Sequence, residues 1–183
     1  MKVLIIVDMQ NDFIDGTLGT SEAVAVVPKV VKRIEKSERE LILFTKDTHQ
    51  EDYLNTLEGK KLPVPHCIEG TVGWQIHDSV FKAWLNNSDT TRVSELPQNT
   101  FPKSIFGSID MVEFLKHRTV DIESIEILGL CTDICVISNA IMIKNALPDV
   151  EISVNSTCCA GVTVKSHIEA LNIMKMCQIE IIS

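Results

Sequence analysis

Ser124-Ile125-Glu126-Ile127-Leu128-Gly129-Leu130-Cys131-Thr132-Asp133-Ile134-Cys135-Val136-Ile137-Ser138-Asn139-Ala140 changes its periodicity at a single glycine. Residues 124–128 have the β-branched richness and alternation of a strand, and the residues after Gly129 read as the start of a helix. Gly129 permits a tight turn, and Thr132 or Asp133 can cap the helix. Cys135 then falls in the first helical turn, where unpaired N–H groups and the positive end of the helix dipole favour a thiolate over a thiol. The competing reading makes Cys135 a small buried core residue. The choice between them rests on the rest of the chain.

Working outward, the same signature of a strand ending in polar chemistry recurs twice. Residues 2–7 form a near-continuous apolar run, which suits a strand covered on both faces in the middle of a parallel sheet. Asp8 ends it at the carboxyl edge, where open α/β sheets bind ligands, the alternative being a cap or turn former. Met9-Gln10-Asn11-Asp12-Phe13 continues as a polar loop whose one aromatic, Phe13, is a candidate pocket wall. Residues 40–45 form a second strand, ending in Lys46-Asp47-Thr48-His49. In an extended segment Asp47 and His49 point to the same side, a usable spacing for two metal ligands.

Residues 50–73 show little periodicity, and so long a loop in a compact domain usually has a function. Within it, Pro63-Val64-Pro65-His66-Cys67 has a restricted backbone that can fix the His66 imidazole, and Glu58 is at hand. A lone loop histidine is ordinarily solvated, but Asp47, His49 and His66 together, with Glu58 available, point to a metal site. Lys103 sits in a loop spanning 99–108, between Pro102 and Phe106. It reads either as a surface charge or as a lysine buried beside a carboxylate or thiolate. Helices are expected at 27–37 with Pro28 in the first turn, at 74–85, at 108–117, from Cys135 to a stop at Pro148, and at 167–176. Further strands are expected at 90–95, 150–154 and 179–182. Alternation of this kind without internal repeats implies one α/β domain over 1–183, a parallel sheet with helices on both faces.

The bulk numbers agree with this and exclude some functions. At 183 residues, 45% apolar and 23% charged, the chain can bury one good core. A net charge of −8 argues against nucleic acid or an anionic membrane as the main partner, because both want clustered Lys and Arg. A small molecule is the expected partner; a homo-oligomer is left open. The opening apolar run resembles a signal sequence only until Asp8, with no small-residue cleavage site after it, and no apolar run approaches ~18 residues. The expected location is the cytoplasm, with the six cysteines as free thiols and one of them reactive.

Three of these segments, taken in order, resemble the cysteine hydrolases of the isochorismatase-like superfamily, and specifically its nicotinamidases. Val7-Asp8-Met9-Gln10-Asn11-Asp12-Phe13 looks like the family's opening strand and catalytic aspartate. Lys103 stands where the family has its catalytic lysine, and Gly129-Leu130-Cys131-Thr132-Asp133-Ile134-Cys135-Val136 is similar to its nucleophile turn. Asp47-Thr48-His49 and Pro65-His66-Cys67 resemble the metal-binding segments that set nicotinamidases apart from many relatives. The resemblance spans nearly the whole chain and implies six parallel strands in a Rossmann-like sheet, with a cis bond between Leu130 and Cys131. One departure is local: nicotinamidases often place a tryptophan just before the metal-binding histidine segment, where this chain has Leu62-Pro63-Val64.

The activity implied is amide hydrolysis, nicotinamide or pyrazinamide giving an acid and ammonia through a cysteine thioester, in NAD salvage. Asp8, Lys103 and Cys135 would be catalytic. Backbone N–H groups of Cys131 and Cys135 would form the oxyanion hole, and Phe13, Phe106, Leu130 and Ile134 the pocket. One divalent ion would sit on Asp47, His49 and His66, with Glu58 as a further ligand in some relatives; zinc suits these donors first, iron or manganese next. The rival activities are a related amidohydrolase acting on a carbamoyl or ureido compound, and a non-catalytic metal- or partner-binding domain. Vinyl-ether hydrolysis fits less well, since relatives of that kind lack the nucleophilic cysteine.

Overall fold

Residues 3–7 of β1 (Lys2–Val7) are all buried, as a central strand requires. Residues 1–37, 40–87, 98–119 and 122–183 are described by the computed structural model. β1 lies between β2 (Leu41–Asp47) and β4 (Ser124–Leu130), parallel to both. β3 (Thr100–Lys103) adds outside β2, and β5 (Glu151–Ala160) and β6 (Glu180–Ile182) extend the other side. The order is therefore β3-β2-β1-β4-β5-β6, all parallel. The order runs outward from β1 in two directions. Right-handed crossovers accordingly set α2 (Ser21–Glu35) and α4 (Asp78–Asn87) on one face and α6 (Ile137–Ala146) and α7 (Val164–Met176) on the other. α5 (Ile109–Lys116) packs against α6.

Register decides the position of the site. Val7 pairs with Thr45 on one side and with Gly129 on the other, and Asp47 pairs with Lys103. The carboxyl ends of β1, β2, β3 and β4 thus finish side by side, at the edge where β-to-α connections carry chemistry. Gly129 is the point of closest approach: its φ is +121°, and a Cβ there would strike the Val7 backbone.

Several elements depart from their sequence-based outlines. Residues 99–108 are not all loop, since Thr100–Lys103 is the third strand; the strand expected at 90–95 lies outside the described residues. α2 begins six residues before the expected Val27. Thr20 caps it through Ala23 N–H, and Pro28 is tolerated in the interior because it and Val24, whose carbonyl it leaves unpaired, face solvent. Met9–Phe13 is not simply loop: α1 (Asn11–Ile14) forms there. The long loop holds a 3₁₀ turn at Tyr53–Asn55 and a short helix, α3 (Leu57–Lys61). α4 starts at Asp78, after Trp74 and Ile76, because Ile76 bridges the backbone of Gln10. β5 runs on to Ala160 past an irregularity in which five residues of β5 are matched by two of β4. α7 starts three residues early on a reciprocal Thr163–Ser166 capping box. Among the described residues no helix is long and apolar enough to cross a membrane.

Candidate active site

Asp8 leaves β1 in a left-handed conformation, φ +46°, with its N–H on Thr45. Its carboxylate is fully buried, accepts a 2.6 Å bond from the Thr45 hydroxyl through Oδ1, and holds the Lys103 ammonium at 2.7 Å through Oδ2. Lys103 Nζ also reaches Asp47 Oδ1 at 3.3 Å and Cys135 Sγ at 3.6 Å. One ammonium therefore serves two carboxylates and a thiol. Burial raises the Asp8 carboxyl above the usual carboxylate range against the pull of Lys103. Burial works against a charged Lys103, but the neighbouring anions outweigh it and hold the ammonium protonated.

Cys135 does not lie in an ordinary first helical turn. The Leu130–Cys131 peptide is cis, and Thr132–Val136 forms a π-helical turn in which Ile134 and Val136 both donate to the Cys131 carbonyl. Neither expected cap acts as one. Thr132 Oγ1 pairs with His167 Nδ1 at 2.8 Å, and the Asp133 carboxylate takes the Val162 N–H. Cys135 is 5% exposed, and burial, then Asp8, push its thiol well above the ordinary cysteine range despite Lys103. The helix dipole that would favour a thiolate is thus opposed by desolvation, which disfavours the charged form of Cys135. All six cysteines are free.

The second cluster adjoins the first through Asp47. While Oδ1 faces Lys103, Oδ2 lies 3.0 Å from His49 Nε2 and 3.4 Å from His66 Nε2. Ligand atoms of Asp47, His49 and His66 all lie within 4.8 Å of one another. His66 Nδ1 is 2.8 Å from the Val64 carbonyl; with Nδ1–H donating to that oxygen, Nε2 keeps a free lone pair. His49 Nε2 is buried and makes no hydrogen bond. Two imidazoles and a carboxylate converging with a buried unpartnered nitrogen fit a divalent metal. Glu58 Oε1 stands 3.9 Å from His49, at the edge of the group.

Both clusters open into one cavity of about 290 Å³. Cys135, Cys131, Asp47, His66 and Glu58 line it together with Phe13, Phe106, Leu130 and Ile134. Lys103 and His49 do not line it but contact residues that do, Cys135 and Asp47, and Asp8 is reached through Lys103.

An isochorismatase domain model matches residues 2–183. The chain belongs to the isochorismatase family. Curated relatives include the nicotinamidase/pyrazinamidase of Mycobacterium tuberculosis, 28% identical over 193 aligned residues covering all of this chain and 98% of that protein. The nicotinamidase of Schizosaccharomyces pombe is 29% identical over 212, covering 98% and 92%. Among solved structures, the pyrazinamidase/nicotinamidase of Streptococcus mutans superposes with a TM-score of 0.82 at 25% identity over the full length of both chains. The pyrazinamidase of Pyrococcus horikoshii, solved with zinc, superposes at 0.76 with 24% identity, covering all of this chain and 98% of that one.

Within this isochorismatase-family site, four contributors went unnoticed in the sequence. The buried Gln10 side chain clamps the Asp47 backbone from both sides, accepting its N–H at 2.7 Å and donating to its carbonyl at 2.8 Å. Thr45 holds Asp8, the Tyr53 ring packs 4.6 Å from His49 and 5.0 Å from His66, and Asn139 bonds to the carbonyl of Cys135. Gln10 and Thr45 were signalled only by being polar at strand ends. Tyr53 and Asn139 carried no local signal.

Proposed function

We propose that this protein is a metal-dependent nicotinamidase that hydrolyses nicotinamide to nicotinic acid and ammonia, and pyrazinamide in the same way. The observation that carries the reading is Lys103 Nζ standing 2.7 Å from Asp8 and 3.6 Å from Cys135 in a cavity that also opens onto Asp47 and His66. Family membership and relatives named for this activity support it.

In the resting site Cys135 is a thiol, Asp8 a carboxylate and Lys103 an ammonium. The raised Asp8 carboxylate takes the thiol proton as sulfur attacks the amide carbon, and Lys103 stabilises the thiolate as it forms. The oxyanion lies against the backbone N–H groups of Cys131 and Cys135. Asp8 then returns its proton to the departing nitrogen, ammonia leaves, and a thioester to Cys135 remains. Water, losing a proton to Asp8, attacks the thioester; the proton passes back to sulfur and the acid is released. Asp47, His49 and His66, with Glu58 in reach, would hold the metal, zinc first among candidates, and the ion supplies a Lewis-acidic anchor for a pyridine or pyrazine nitrogen. Phe13, Phe106, Leu130 and Ile134 enclose the ring.

The test is ammonia release from nicotinamide, pyrazinamide and a panel of carbamoyl and ureido compounds, with Cys135→Ala as control. Release from the first two, abolished in a folded Cys135→Ala protein, is the expected result. Turnover confined to the ureido compounds would reassign the substrate, and turnover surviving in Cys135→Ala would sink the thioester.

A further inference from the structure

A larger cavity of about 890 Å³ adjoins the 290 Å³ one, and the two share Glu58, Leu62, Phe106 and Ile134 in their walls. These four side chains stand between the larger cavity and the one that Cys135 lines. Phe106 is half exposed, as is Ile105 before it, so burial of its own ring does not fix its place. Its backbone is fixed instead by one fully buried side chain. Asn139 donates through Nδ2 to the carbonyls of Cys135 at 2.8 Å and Phe106 at 3.3 Å, and accepts the Ser108 N–H on Oδ1 at 2.9 Å. Gly107, between the two loop contacts, lies so close to Met142 on the next turn of α6 that a Cβ would strike its sulfur. The segment 106–108 is thus seated on the helix that follows the nucleophile.

We propose that Asn139 is a positioning residue for specificity: by clamping residues 106–108 to α6 it holds Phe106 as the partition between the two cavities, and so sets the size of molecule that reaches Cys135. Asparagine suits this task because it offers two donors and an acceptor at once, which matches the two carbonyls and one N–H presented to it. Where the entrant is an amide substrate, the inference rests on the nicotinamidase reading; where it is any thiol reagent, it does not.

The experiment therefore uses reagents rather than substrates. Second-order rate constants for alkylation of Cys135, located by peptide mass spectrometry, are measured with iodoacetamide and with the bulkier N-phenyl iodoacetamide. The wild type should favour the small reagent. Asn139→Leu, similar in volume and without the three bonds, should cut that preference about tenfold, as loss of net bonds worth ~1 kcal/mol each allows. Phe106→Ala should do the same, and the double variant should lose little more than either, because the two changes act through one wall. Should Asn139→Leu fail to fold, Asn139→Asp keeps the shape and the acceptor for Ser108 while removing both donors, and the preference should again fall. A preference unchanged in a folded Asn139 variant, or losses that add fully with Phe106→Ala, would overturn the proposal. For nicotinamide hydrolysis, KM should rise more than kcat falls. If the wild type releases no ammonia yet the size preference collapses as described, the clamp stands and the nicotinamidase reading falls. Hydrolysis of nicotinamide with an unchanged preference means the reverse.

Discussion

Replacing Lys103 by methionine keeps the stem and removes the ammonium that reaches Asp8, Asp47 and Cys135. At the observed 3.6 Å to sulfur, with an effective dielectric of ~20, the ammonium favours a thiolate by about 4–5 kcal/mol. After the thiol proton has passed to Asp8 that carboxyl is neutral, so its 2.7 Å pairing no longer offsets this attraction in the state that attacks. Lys103→Met should therefore lower kcat/KM for nicotinamide by about 10³-fold. It should also move the pH-rate profile for iodoacetamide at Cys135 upward. Removing one partner of a buried pair further costs about 3–5 kcal/mol of stability, relieved in part as Asp8 takes up a proton. Near-UV circular dichroism and thermal melting establish that the variant is folded before rates are compared. A folded Lys103→Met protein with kcat/KM within tenfold of wild type, or an unshifted alkylation profile, would refute the electrostatic account.

The acid limb of kcat/KM should follow Asp8. Its folded pKa is raised, so activity falls as pH drops through a value above the ordinary ~3.9 of aspartate. Thr45→Val removes a bond that favours the carboxylate and should move this limb up; no shift would detach Asp8 from the limb. The stability contribution of Asp47 has the opposite sign: burial is outweighed by the two imidazoles and Lys103, its carboxyl is depressed, and its stabilisation, full above the unfolded pKa, is lost as pH falls through the folded value. Metal content, read by elemental analysis of protein purified without chelator, should be near one ion per chain and near zero in a His49→Ala/His66→Ala double variant. Equal content in the two would remove the assigned ligands. Gly129→Ala should prevent folding, since the obstructing Val7 backbone cannot give way in the middle of the sheet; a native-like melting curve would contradict the register of β1 and β4.

Much of the fold was legible because its causes are local. An apolar run at 2–7, alternation at 124–128 and helical spacing around α2, α5 and α6 each report burial of one segment's face, and their alternation leaves few topologies. The candidate site was legible for a related reason: Asp8, Asp47, Lys103 and Cys135 all stand at or just past the ends of strands, and a parallel sheet gathers those ends at one edge. What the sequence could not set was whatever depends on a partner distant in the chain. Thr100–Lys103 carries a proline and too few residues to announce a strand; it is one because β2 offers it an edge. Thr132 and Asp133 look like helix caps, but His167 and Val162, some thirty residues on, take their side chains. The electrostatics of Cys135 run against its local reading, because a helix dipole is a property of the segment while the desolvation that raises its thiol is a property of everything packed around it. Sequence determined which groups stand at the sheet edge; tertiary structure decided their distances and how far each is buried.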